Sequence, residues 1–139
     1  MSQENVEIVR RSQEAWSGGD LGVFLSVFPA DAEWMIAEEN PNARTLRGPE
    51  EIAAYLRDWA DTMPGMRYDV AEHIDAGEAV VSLGTVSGRA GEDGPEITVQ
   101  LAFVTYFEHG FPVRTEEYLD PRKALEAVGV SEQDAPADP

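Results

Sequence analysis

Arg114, Glu116 and Tyr118 recur at every second position of the stretch Val113–Leu119. In an extended strand such residues share one face, with neighbours about 7 Å apart. A guanidinium beside a carboxylate can hold it ionised near a water or a substrate carbonyl. Glu116 would then be the base, and Tyr118 the donor, of a general acid–base set. The same residues also read as a structural Arg–Glu pair beside a core tyrosine, the commoner role of such pairs. Asp120 continues this face. It directly precedes Pro121, which reads as a helix start with Asp120 as its cap, and it is also a candidate for the rim of a pocket.

His73 is the other candidate. Near the end of a strand, it carries charge in the neutral range and could act as a proton carrier if it points inward. An ordinary sheet histidine, or one at a subunit face, reads equally well. His109 sits in the turn Glu108–Gly110 and reads as solvated. Two distant histidines without nearby carboxylates at ligand spacing give no metal signature. Glu38-Glu39 reads as a solvated loop. Gly88–Gly91 reads as a hairpin turn, not a phosphate-binding strand-to-helix junction. No cofactor is expected.

These side chains need a scaffold, and the apolar spacing supplies one. Val6, Val9, Gln13 and Trp16 share a face of a helix over about Gln3–Trp16, which Ser2 can cap. Asp20 caps a second helix, Leu21–Phe28. Glu33–Ala37 is a short strand and Glu38–Arg47 a polar loop. Ile52, Tyr55, Leu56 and Trp59 mark a third helix that starts at Pro49 and stops at Pro64-Gly65. The period then switches to two. Strands Met66–Ile74 and Ala79–Arg89 follow, then a turn at Gly91–Pro95. A last hairpin joins Glu96–Phe107 to Phe111–Leu119, and a short helix runs from Pro121 to Gly129.

The element order predicts an α+β fold, with three N-terminal-half helices on the concave face of a curved, mostly antiparallel sheet. The first strand of the last hairpin is apolar on both faces: Ile97, Val99, Leu101, Phe103 and Phe107 on one, Ala102, Val104 and Tyr106 on the other. One face is expected over an internal pocket. The other, Thr98, Gln100, Ala102, Val104 and Tyr106, is expected against a second copy of the chain. Trp16, Phe24, Trp34, Ile36, Tyr55, Trp59 and Phe103 would form the apolar wall, suited to a flat or polycyclic apolar ligand.

Composition bounds the class. The 139 residues, 42% of them hydrophobic, suit one domain over 1–130, followed by an acidic, disordered tail over 131–139. The formal charge of −17 disfavours nucleic acid and anionic membranes as partners. The polar start, the lack of an 18-residue apolar run and the absence of cysteine point to a cytoplasmic protein.

In order along the chain, Gly19-Asp20, Asp31–Trp34, Leu46–Gly48, Ile74–Gly77, Tyr118–Asp120 and Ala124–Ala127 resemble the SnoaL-like branch of the nuclear-transport-factor-two superfamily. The resemblance covers about residues 3–130. It implies a cone-shaped pocket, a homodimer through the convex face, and an activity drawn from a range that includes isomerases, polyketide cyclases, hydrolases, dehydratases and binding domains. Aligned with the ketosteroid isomerases, the general-base position falls at Ile36, the oxyanion-hole tyrosine at Ser12 and the protonated aspartate at Phe103. The chain therefore lacks that catalytic set. The same alignment aims Arg114, Glu116 and Tyr118 into the cone. Two functions follow: a cofactor-independent acid–base enzyme acting on an apolar substrate, or a non-catalytic ligand-binding or interaction domain.

Overall fold

The computed structural model describes residues 2–129; the tail expected over 131–139 lies outside them. Helix α1 (Ser2–Ser17) ends where Gly19 takes a left-handed φ of +89°. Helix α2 (Leu21–Ser26) is capped by Asp20, whose Oδ1 accepts from the Val23 amide at 3.0 Å. It stops two residues before the expected Phe28, because Pro29 disfavours helical geometry in the residue before it.

Strands β1 (Glu33–Met35) and β2 (Thr45–Arg47) form a small hairpin. The second of them lies inside the stretch expected to be a loop. Helix α3 (Gly48–Thr62) carries a proline in its first turn and buries Ile52, Tyr55 and Leu56, as the spacing predicts. Strands β3 (Arg67–Asp75), β4 (Ala79–Arg89), β5 (Glu96–Glu108) and β6 (Phe111–Tyr118) follow, and helix α4 (Pro121–Ala127) comes last.

The six strands lie in the order β2-β1-β6-β5-β4-β3, antiparallel except for the β1–β6 pair. The concave face meets α1–α3 in the main core, where Trp16, Phe24, Trp34, Tyr68, Leu101 and Phe103 pack together. The opposite face carries a smaller core in which Ala124 and Leu125 of α4 cover Val81, Ala102 and Val104. The second apolar face of β5 is thus sealed in part by the chain's own last helix. Ala102 and Val104 are buried within a single copy, Tyr106 is half-buried, and Thr98 and Gln100 are exposed. Among the described residues, no helix is long and apolar enough to cross a membrane.

Asp120 performs the capping role. Its Oδ1 accepts from the Arg122 amide at 2.9 Å at the start of α4. Asp120→Ala is expected to fray α4 and to speed amide hydrogen exchange at Ala124 and Leu125, while Asp120→Asn, which keeps the acceptor, preserves protection. Unchanged exchange in the alanine variant would show that packing alone holds the helix.

Candidate functional site

On the concave face, α1, α2 and the sheet close around a small apolar cavity of about 20 Å³, room for little more than one water. Helical spacing brings Ile8, Val9, Ser12 and Gln13 of α1 to one side of it. Phe24 comes from α2, with Val27 and Phe28 just beyond its end. The sheet supplies Trp34 from β1, Phe103 and Thr105 from β5, and Pro112 and Thr115 from β6. Register sets this floor: Trp34 and Thr105 both pair with Thr115, while Phe103 pairs with Glu117.

The polar groups of the cavity are hydroxyls and one amide. Ser12 donates to the Val9 carbonyl at 3.0 Å. Gln13 donates through Nε2 to Ser82 at 3.1 Å, and its Oε1 lies 2.9 Å from His73 Nε2. Thr115 is 3% exposed, and its hydroxyl is buried with no hydrogen-bond partner. None of the described residues lining the cavity has an ionisable side chain.

Behind this wall lies Glu117, two residues along the same face of β6 and 3% exposed. Trp34 Nε1 donates to its Oε2 at 2.6 Å; Tyr55 OH and the Ala37 amide donate to its Oε1 at 2.9 and 3.3 Å. Burial pushes the carboxyl above its ordinary range, against these three donors. The carboxyl ties β1, α3 and β6 together. Burial and the nearby Glu117 carboxylate likewise push the Tyr55 hydroxyl well up.

Arg114, Glu116 and Tyr118 do come together, but on the opposite face of the sheet. Glu116 accepts from Arg114 Nε at 2.8 Å, from Tyr118 OH at 2.7 Å and from Tyr106 OH at 3.3 Å. Arg114 also donates to Glu33 at 2.8 Å, and Glu33 pairs with Arg47. These groups border an open depression outside the cone. The expected inward direction is corrected by a β-bulge. Continued regularly, the Glu108–Phe111 pair at the turn would set Phe103 opposite Glu116. The register instead shifts between Tyr106 and Phe107, and Phe103 faces Glu117. One inserted residue exchanges the two faces of a strand.

The remaining candidates divide. Phe24, Trp34 and Phe103 line the cavity. Trp16, Ile36 and Tyr55 belong to the packed core around it without lining it, and Trp59 stacks edge-on with Tyr55 at 6.2 Å. Asp120 lies at the start of α4, away from the cavity. His73 faces α1 on the concave side, in a groove beside Arg10, Glu14 and Tyr68. Burial, with help from Arg10, lowers its pKa. Sequence reasoning missed Gln13, Thr105, Thr115 and Glu117 as site residues. Ser12 stands out in the sequence only as the position where the isomerase tyrosine would fall.

The comparisons agree with the fold. No curated protein matches the chain. An NTF2-like protein of unknown function from Burkholderia pseudomallei K96243 is 28% identical, with a TM-score of 0.75 over 91% of this chain and 98% of its own. TerC co-crystallised with polyporic acid is 24% identical, with a TM-score of 0.74 over 90% of this chain and 98% of its own. A protein of ketosteroid isomerase-like fold from Catenulispora acidiphila DSM 44928, in complex with trimethylamine, is 18% identical, with a TM-score of 0.71 over 94% of this chain and 98% of its own. The last two show the fold alone. Residues 9–114, well over half of the chain, match the SnoaL-like domain, and the chain belongs to that family.

Proposed function

We propose that this SnoaL-like chain holds a small apolar molecule in its concave cavity and does so without acid–base chemistry. The observation that carries the reading is the lining itself: aromatic and aliphatic side chains, three hydroxyls and one amide, with no ionisable group. Apolar concave sites with a few placed polar groups are the usual form of small-molecule pockets. General acid–base work needs a titratable side chain within hydrogen-bond reach of the ligand.

Indane, a compact apolar bicycle, is a suitable first probe: it is larger than the closed cavity, so its binding requires the aromatic wall to part. Titration into the isotopically labelled protein is expected to shift the amide resonances of Phe24, Trp34, Phe103 and Thr115. Absence of shifts up to the solubility limit of indane, or shifts confined to the depression around Arg114 and Glu116, would overturn the reading.

A catalytic reading has one specific support, the buried Glu117 carboxyl on the same strand face as Thr115. All three of its contacts are to groups of the protein's own framework. An enzyme using it would have to release at least one of them. Turnover of a bound compound that Glu117→Gln abolishes at unchanged affinity would establish that reading in place of simple binding.

A further inference from the structure

We infer that the Thr115 hydroxyl is the polar anchor of the cavity, and that its ligand is a neutral apolar molecule presenting one oxygen acceptor, such as a ketone. This rests on the cavity being a ligand site and names the chemistry it selects. A threonine hydroxyl has one proton to donate and two lone pairs. The Thr115 oxygen is buried against the cavity and meets no protein partner. Leaving such a group unpaired is costly, so a site that retains it gains from a ligand that pairs it. The other polar groups are less available. The Ser12 proton is committed to Val9, and both ends of the Gln13 amide are engaged, by Ser82 and His73. Thr105, opposite Thr115 on β5, is the one neighbouring hydroxyl that competes for the role.

Charge defines the rest of the ligand. No lining residue offers a cation to a carboxylate or an anion to an ammonium. Burying either ion there without a partner would be strongly unfavourable. A carbonyl or ether oxygen on an otherwise apolar skeleton meets one donor and leaves no charge unpaired.

The test compares indane with 1-indanone, which adds one carbonyl to the same skeleton, on wild type and Thr115→Val by calorimetry. The valine is nearly isosteric and removes only the hydroxyl. For 1-indanone, the variant is expected to bind about 3- to 10-fold more weakly than wild type, the range of one net hydrogen bond. For indane it should bind as well or better. Taking the ratio of variant to wild type for each probe cancels the different hydration of the two compounds. Thr115→Ser, which keeps the hydroxyl, should stay close to wild type for both.

The melting temperature gives a second readout, because removing an unpaired buried hydroxyl should leave the free protein as stable or more so. If Thr115→Val fails to fold, Thr115→Ala against Thr115→Ser makes the same comparison. If neither probe binds wild type, the cavity reading fails and the anchor with it. If both bind and Thr115→Val leaves the 1-indanone ratio unchanged, the anchor is wrong and the cavity stands. Loss of the ketone preference in Thr105→Val but not in Thr115→Val would also overturn the assignment.

Discussion

Glu117→Ala is expected to destabilise the protein by about 3–5 kcal/mol in denaturant unfolding. The substitution strands three buried donors, Trp34 Nε1, Tyr55 OH and the Ala37 amide, and leaves a void among β1, α3 and β6. Glu117→Gln should be much milder. Its carbonyl oxygen can accept from Trp34 and its amide can donate to the Tyr55 oxygen, losing only the longest bond, from Ala37. The difference between wild type and the glutamine variant should also depend on pH. Burial raises the Glu117 carboxyl above the unfolded value of about 4.5. A raised acid contributes its full stability below the unfolded pKa and loses it as pH rises through the folded pKa. Wild type should therefore lead the glutamine variant by about 1 kcal/mol at pH 4 and lose ground above pH 4.5, by at most about 1.4 kcal/mol per pH unit. Glu7 and Asp120, held low by arginine partners, drive total stability the opposite way. The variant difference removes their contribution. A difference that stays flat from pH 4 to pH 8 would show that the carboxyl is not raised by folding.

The elements were legible where a period was long and its ends were marked. Helix α3 follows from Ile52, Tyr55, Leu56 and Trp59 between two prolines, and β4 from its alternation over Ala79–Arg89. Strand β2 was not legible. Its three residues, Thr45–Arg47, are too few to show a period, and their pairing to β1 is decided by tertiary contact. The composition of the cavity wall was read in part. Phe24, Trp34 and Phe103 followed from apolar faces, whereas Trp16 and Tyr55 went into the core behind it. Large aromatics mark burial, but burial alone does not separate a wall from a core.

The direction of Arg114, Glu116 and Tyr118 was illegible for a sharper reason. Alternation identifies which residues share a face, not which way the face looks. Only the bulge near Val113 decides that, and its one local mark is Pro112, which as readily signals a strand start or an edge as an extra residue. The signal that could have corrected it was Glu117 itself. With Thr115 it forms the alternative face, and a lone carboxylate there can be buried only if donors surround it. Trp34 and Tyr55 are long-range donors, 83 and 62 residues away in sequence. No local pattern announces such a contact.

Trp34→Ala is expected to cost about 3–5 kcal/mol, and part of that loss should be recoverable with indole. Trp34 is 1% exposed, and its ring packs edge-on against Phe103 at 5.4 Å, Phe24 at 6.0 Å and Phe28 at 6.3 Å. Its Nε1 gives Glu117 its shortest hydrogen bond, 2.6 Å. Alanine removes the ring and the donor together, leaving an apolar void with a carboxyl oxygen at its edge. Apolar cavities of this kind bind small aromatics when the rest of the core holds its shape. Added indole restores both missing functions, ring and N–H. At five times its dissociation constant it should return about 1 kcal/mol to the variant. Naphthalene, which fills the space but cannot donate to Glu117, should return less. Trp34→Phe separates the same two contributions covalently, keeping most of the packing and losing the donor. Indole, close to indane in size, is expected to enter the wild-type cavity as well, so the rescue is the stabilisation of the variant in excess of that of wild type. No excess would show that the space left by Trp34 takes no indole and that Trp34 is not the joint between wall and carboxyl. If indole and naphthalene rescue equally, the Trp34–Glu117 bond adds nothing beyond packing.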